Sequence, residues 1–121
     1  MAILFQMLMN FGTYGGKRYL DSATVVEFTK QQFKNTANRR GLGFDRVDNL
    51  NHTNGSVCKS VSSETYGHTG FTGTCVWVDP KYNLVYIFLS NRVNPIAENP
   101  KLVNMNIRTD IQQIIYDAIN K

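Results

Sequence analysis

Thr74–Ser90 reads TCVWVDPKYNLVYIFLS, two runs rich in β-branched and aromatic residues separated by Pro80-Lys81-Tyr82-Asn83. Proline fixes its own φ and asparagine tolerates a left-handed backbone, so the middle four residues are a turn signal. The spacing predicts an antiparallel hairpin of Thr74–Asp79 with Leu84–Ser90. Leu84, Val85, Tyr86, Ile87, Phe88 and Leu89 are apolar at consecutive positions. That pattern predicts a strand buried on both faces, at the centre of a layered sheet.

Working outward, Pro95–Pro100 is a loop, and beyond it Ile107, Ile111, Ile114, Ile115, Ala118 and Ile119 recur at helical spacing with polar residues between them. A C-terminal amphipathic helix is predicted to cover one sheet face with this stripe. Upstream, Ala2–Phe11 is a dense run of helix formers stopped by Gly12. Gly15-Gly16 marks a turn, and Asp21 or Ser22 can cap a second helix that fades near Gln32. Asn35–Arg40 is polar, Gly41-Leu42-Gly43-Phe44 reads as an extended element, and Asn49–Gly55 reads as loop. The fold class is therefore α+β: an antiparallel sheet of about three strands, two N-terminal helices and a closing C-terminal helix, in one domain over residues 1–121.

The charge is +4, and its excess lies entirely before Val61, with eight Lys or Arg against four acids in Met1–Ser60 and five against five afterwards. These basic residues are not interleaved with aromatics and form no recognisable nucleic-acid module, so they read as solvated surface. No apolar run approaches the roughly 20 residues that span a bilayer, and Met1–Phe11 lacks the basic start and cleavage site of a signal peptide. Neither a membrane segment nor a leader is predicted. Cys58 and Cys75 form no CxxC pair and are expected as free, partly buried thiols. The sequons at Asn51 and Asn54 matter only in a eukaryotic secretory pathway. No metal or cofactor is expected.

Just before the hairpin stands Tyr66–Gly73, YGHTGFTG. Its threonine offers a hydroxyl, its glycine lets a substrate approach the backbone, and its histidine can donate or hold charge near neutral pH. The Phe71 N–H can point at a developing oxyanion. A glycine-rich turn into a hairpin explains the same residues equally well.

YGHTGFTGTCVWVDPKYNLVYIFLSNRVNP closely resembles the C-terminal part of the serine beta-lactamase and penicillin-binding-protein-like family, in its class C and esterase-like branch. There a Lys-Thr-Gly or His-Thr-Gly box precedes two antiparallel strands and a C-terminal helix. AILFQMLMN, GGKRYLDSATV and RRGLGFD are similar to the stretch ahead of that box, so the resemblance covers nearly the whole chain. It also resembles domains fused behind family-three glycoside hydrolases in Bacteroidetes-like bacteria. The resemblance implies a partial beta-lactamase-like fold, with Thr69 and Gly70 facing substrate, His68 supporting the local charge network and Phe71 giving its N–H to the oxyanion hole. His68 in place of lysine points towards esterase or peptidase work. The parent family is mostly periplasmic or extracytoplasmic in bacteria.

That family also needs a Ser-x-x-Lys box at the start of a buried helix and a Tyr-x-Asn or Ser-x-Asn box, because a serine hydroxyl is a weak nucleophile without a neighbouring base. Ser56-Val57-Cys58-Lys59 matches the first literally, but it lies only a few residues before His-Thr-Gly and does not open an apolar helix. None of the six tyrosines has Asn two positions later, and no Ser-x-Asn occurs. The chain is thus expected to be a C-terminal substrate-wall and structural subdomain, inactive alone. Two rival readings are a minimal esterase using Ser56 and Lys59, and a small basic binding module. The expected partner is the missing N-terminal half, or a second copy through the open edge of the Leu84–Ser90 strand.

Overall fold

The computed structural model describes residues 1–34, 36, 38–47 and 56–121. The predicted Asn49–Gly55 loop and both sequon asparagines lie outside them. In chain order the elements are α1 (Ala2–Met9), β1 (Thr13–Tyr14), β2 (Lys17–Arg18), α2 (Ser22–Thr29), β3 (Asp45–Arg46), β4 (Tyr66–Thr69), β5 (Cys75–Asp79), β6 (Leu84–Phe88), α3 (Lys101–Asn104) and α4 (Ile107–Ile119). Among the described residues no helix is long and apolar enough to cross a membrane.

The hairpin forms as the sequence predicts. Cys75 pairs with Phe88 and Asp79 with Leu84, and the turn between them is a 3-10 segment, Pro80–Tyr82, closed by Asn83 at φ 50°. The sheet has four antiparallel strands in the order β3-β4-β5-β6, with β1 and β2 forming a separate small hairpin. The added strand corrects the reading of Gly41–Phe44 as extended. Gly41 N–H bonds to the Phe44 carbonyl, which curls those four residues into a tight loop, and the extended backbone begins only at Asp45. The second helix likewise stops at Thr29 rather than near Gln32, because Lys30 already has extended backbone.

Burial along the hairpin differs from the expectation that Leu84–Leu89 is covered on both faces, while its edge position agrees with the open edge expected there. All five residues of β5 are buried, whereas β6 lies at the sheet edge with Tyr86 alone fully buried. Alternation explains it: Val76 and Val78 point to one face, Cys75, Trp77 and Asp79 to the other, and both faces of β5 are covered. On one side Met9 of α1 packs with Tyr66 and Val78. On the other Trp77, Cys75 and Tyr86 pack with Ile115 of α4. Both cysteines are free and buried. Each fully buried aliphatic here is worth about 1.5–3 kcal/mol. The edge strand is also rich in β-branched and aromatic residues, but among the described residues no strand pairs with its outer side.

The C-terminal helix forms over the predicted residues, yet the stripe it buries is not the isoleucine stripe. Gln112 and Tyr116 are its buried residues, while Ile111, Ile114 and Ile119 are exposed. Polar pegs set this rotation. Gln112 Oε1 accepts the Cys58 N–H at 2.9 Å, Tyr116 Oη donates to Asp79 Oδ2 at 2.6 Å, and Tyr86 Oη donates to the Arg108 carbonyl at 2.8 Å. Asp79 also accepts the Ser62 N–H at 2.8 Å and its hydroxyl at 2.6 Å. Burial by itself pushes this carboxyl up, but the donors from Ser62 and Tyr116 outweigh it and hold Asp79 below its ordinary value. The buried carboxylate in turn pushes the Tyr116 phenol, already raised by burial, further up.

Candidate functional site

Strand β4 climbs out of the core along its length: Tyr66 and Gly67 are buried, His68 and Thr69 half-buried, Gly70 and Phe71 exposed. On one side β5 pairs with it through Thr69. On the other, β3 pairs only with Tyr66 and Gly67. From His68 onward, that second edge carries no strand among the described residues. An unpaired edge of extended backbone is a place where another extended segment can hydrogen-bond.

Successive peptide groups along this edge are held in fixed directions. The Thr69 carbonyl accepts from His68 Nδ1 at 2.7 Å, and the Gly70 N–H, in the same peptide unit, donates to the Thr74 carbonyl at 2.8 Å. In the next unit the Gly70 carbonyl accepts the Gly73 N–H at 3.0 Å. The Phe71 N–H, at its other end, makes no hydrogen bond among the described residues. It is an unused donor.

The turn behind it is anchored twice. Thr72 O accepts the Arg92 N–H at 2.9 Å and Ser90 Oγ at 3.1 Å, and Arg108 of α4 reaches the Gly73 carbonyl at 3.3 Å. Gly73 sits at φ 91°, where a Cβ would collide with the Leu102 side chain and Ser90 Oγ, so only glycine lets the loop pack down here. The Phe71 ring is 75 % exposed with the Arg92 guanidinium 5.0 Å from its centroid.

His68 is tied at both ring nitrogens. A carbonyl only accepts, so Nδ1 must carry the proton given to Thr69, and Nε2 is then the acceptor for Arg40, whose guanidinium lies 2.9 Å away. Arg40 Nε in turn contacts Asp45 Oδ1 at 2.9 Å, with Arg39 4.0 Å from the other oxygen of that buried carboxylate. Neither Arg40 nor Asp45 was expected at the site. Arg40 reads as part of a basic surface cluster, and the available signal was its opposite charge to Asp45 across a four-residue Gly-containing loop that closes on itself.

The structure thus brings His68, Thr69, Gly70 and Phe71 together on one edge, adds Arg40 and Asp45, and leaves Ser56-Val57-Cys58-Lys59 elsewhere. Those four residues lie in bend and turn backbone, with Lys59 exposed and Cys58 packed against Val47, Val61 and Tyr116. Burial pushes the Cys58 thiol up, and its N–H is spent on Gln112. It is a core peg rather than a nucleophile. Tyr66 offers no base either. Its phenol is pushed up to about 12 by burial despite the nearby Arg46, and its ring packs edge-on to Phe44.

The profile of the Beta-lactamase family matches residues 8–103. Proteins of Salmonella gallinarum (strain 287/91 / NCTC 13346) and Salmonella typhi, each named "Putative D-alanyl-D-alanine carboxypeptidase", are 36 % identical over 107 residues, 88 % of this chain and 24 % of their own length. The chain therefore spans about a quarter of these curated relatives. Among solved structures, a beta-lactamase from Mycobacterium bovis superposes with a TM-score of 0.69 at 21 % identity, over 95 % of this chain and 42 % of that one. A penicillin-binding protein homologue from Caulobacter crescentus gives 0.54 at 24 %, over 73 % and 24 % respectively. At these identities the superpositions speak for the fold alone.

Proposed function

Because the chain belongs to the beta-lactamase and penicillin-binding-protein-like family of serine hydrolases, we propose that it is the C-terminal wall of an acyl-transfer site, inactive without the polypeptide that carries nucleophile and base. The observation that carries this reading is the clamped edge from His68 to Phe71, which ends in an unused backbone donor. A tetrahedral intermediate places its negative charge on the former carbonyl oxygen, and a donor that needs no reorientation stabilises it most. Thr69 and Gly70 line the path along which an extended acyl segment would add to β4, and His68 holds that path straight. The names of the Salmonella relatives make a peptide ending in D-alanine the first substrate class to try.

Two further features support a missing part. β6 is an open edge, and α1 exposes Ile3 and Leu4 beside a groove of about 420 Å³ lined by Met1, Met7, Tyr14 and Tyr19. Patches of this kind mark surfaces that another polypeptide covers. The cover is the rest of the hydrolase domain, or in its absence a second copy paired through β6. Light scattering of the chain should therefore show an oligomer that Ile87→Lys or Phe88→Lys disperses, whereas a monodisperse monomer at tens of micromolar would count against it.

The functional test joins this chain to an upstream family segment bearing Ser-x-x-Lys and Tyr-x-Asn and follows acylation by a chromogenic cephalosporin or an activated ester. Phe71→Pro removes the N–H and should slow acylation by about 10²–10³, the usual effect of deleting one oxyanion donor. Unchanged acylation in a folded Phe71→Pro protein would overturn the assignment.

A further inference from the structure

We propose that Arg40, held by Asp45, is a positioning residue that fixes His68 in its Nδ1–H tautomer and through it the direction of the Thr69–Gly70 peptide. Asp45 is a buried carboxylate on β3, opposite Gly67 of β4, and a buried charge is tolerated only when paired. Its partner is Arg40, brought back alongside by the tight loop at Gly41–Phe44, with an isolated bridge between the two backbones. Asn38 Oδ1 caps the Arg40 N–H at 3.0 Å, so the backbone under the guanidinium is held as well. With Nε on Asp45, the group's NH1 is aimed at His68 Nε2.

A guanidinium has donors only and does not lose its proton. Facing it, Nε2 must offer a lone pair, which leaves the ring proton on Nδ1, where the Thr69 carbonyl takes it. Free neutral imidazole prefers the opposite tautomer, so the arrangement needs an imposed cause. Two groups at the ring impose it, the Thr69 carbonyl at Nδ1 and Arg40 at Nε2, and the other charges on this network, Asp45 and Arg39, are paired with each other or with Arg40. The consequence for the edge is specific. With the proton on Nε2, Nδ1 would turn a lone pair towards the Thr69 carbonyl, the peptide would lose its clamp, and the edge leading to Phe71 would lose a fixed point.

The inference rests on reading His68–Phe71 as the wall, but its test does not involve acylation, so the two can fail separately. Long-range ¹H–¹⁵N spectra of the chain, at a pH above the ordinary histidine range, report which ring nitrogen is protonated. His52 is the only other histidine. In the unmodified chain His68 should show a protonated Nδ1 and a bare Nε2. In Arg40→Ala the two nitrogens should exchange character for at least half of the population, while the backbone amide spectrum of β4 and β5 stays folded. Arg40→Lys keeps a group that only donates and should retain the original tautomer, which covers the case in which Arg40→Ala fails to fold. A bare Nδ1 in the unmodified chain, an unchanged tautomer in folded Arg40→Ala, or a lost one in folded Arg40→Lys would each overturn the proposal.

Discussion

The two faces of the sheet are closed by different means. On the α4 face almost every buried polar atom has an internal partner: Asp79 with Ser62 and Tyr116, Gln112 with the Cys58 N–H, Tyr86 with the Arg108 carbonyl. On the α1 face the contacts are apolar, Met9 on Tyr66 and Val78, Met7 and Leu8 on Val25, and the outer side of the same helix exposes Ile3 and Leu4. Directional bonds are satisfied only in one arrangement, so the α4 face specifies its own docking. Apolar area is non-directional and gains from any further burial, so Ile3 and Leu4 on α1, like Ile111, Ile114 and Ile119 on the outer side of α4, are exposed without fixing what covers them.

The largest effect should come from breaking the α4 face. Asp79→Ala leaves the Ser62 and Tyr116 donors buried without an acceptor and should cost about 3 kcal/mol or more in urea unfolding, since each bond to a charged group is worth about 1.5–3. A loss under about 1 kcal/mol would show that Asp79 does not organise this face. The pH dependence has a definite sign. Because the folded Asp79 is held below its ordinary value, its contribution is fully present above the unfolded carboxyl value near ~3.9 and lost as pH falls through the folded one. Asp79→Asn should flatten that acid limb without altering the slope near neutrality.

Tyr116→Phe removes one of the three donors to Asp79 and keeps the ring against Tyr82. About 2 kcal/mol is expected, less than for Asp79→Ala. Equal losses would mean that the ring's packing, not the carboxylate, carries the docking. The α1 face should answer differently. Ile3→Ser with Leu4→Ser should change unfolding stability by no more than about 0.5 kcal/mol per site, but should reduce self-association in light scattering. A large stability loss with unchanged association would reverse the contrast between the faces.

The legibility of this fold follows the same division. The Cys75–Phe88 hairpin was readable because its turn chemistry and strand composition are local, α1 because its run of helix formers ends at Gly12, and α4 because its apolar periodicity is local too. Burial was less readable. Six consecutive apolar residues mark Leu84–Leu89 as two-faced, but helix docking decides which faces are covered, and α1 and α4 bury β5 more completely than β6. The rotation of α4 was hidden for a related reason. Hydropathy ranks Ile114 above Gln112, yet Gln112 has a buried N–H to satisfy and Ile114 has nothing above it. At the site, His68, Thr69, Gly70 and Phe71 were legible as a contiguous motif. Arg40 and Asp45 were not, since pairing across 28 residues to His68 is a property of the folded loop.

His68→Ala should be a mild change to the fold, within about 1 kcal/mol, because the ring is only half-buried and its bonds are to an exposed arginine and a neighbouring carbonyl. A drop comparable to that of Asp79→Ala would make the histidine a structural residue and weaken its place in the wall.

The claim that these 121 residues form a wall without a nucleophile is tested most directly by intact-mass analysis of the purified chain after exposure to a covalent serine-hydrolase probe. No adduct is expected, on Ser56 or on any other serine, under conditions where a complete member of the family labels to one equivalent. Stoichiometric labelling at Ser56, abolished by Ser56→Ala, would contradict it and make Ser56 with Lys59 a working dyad.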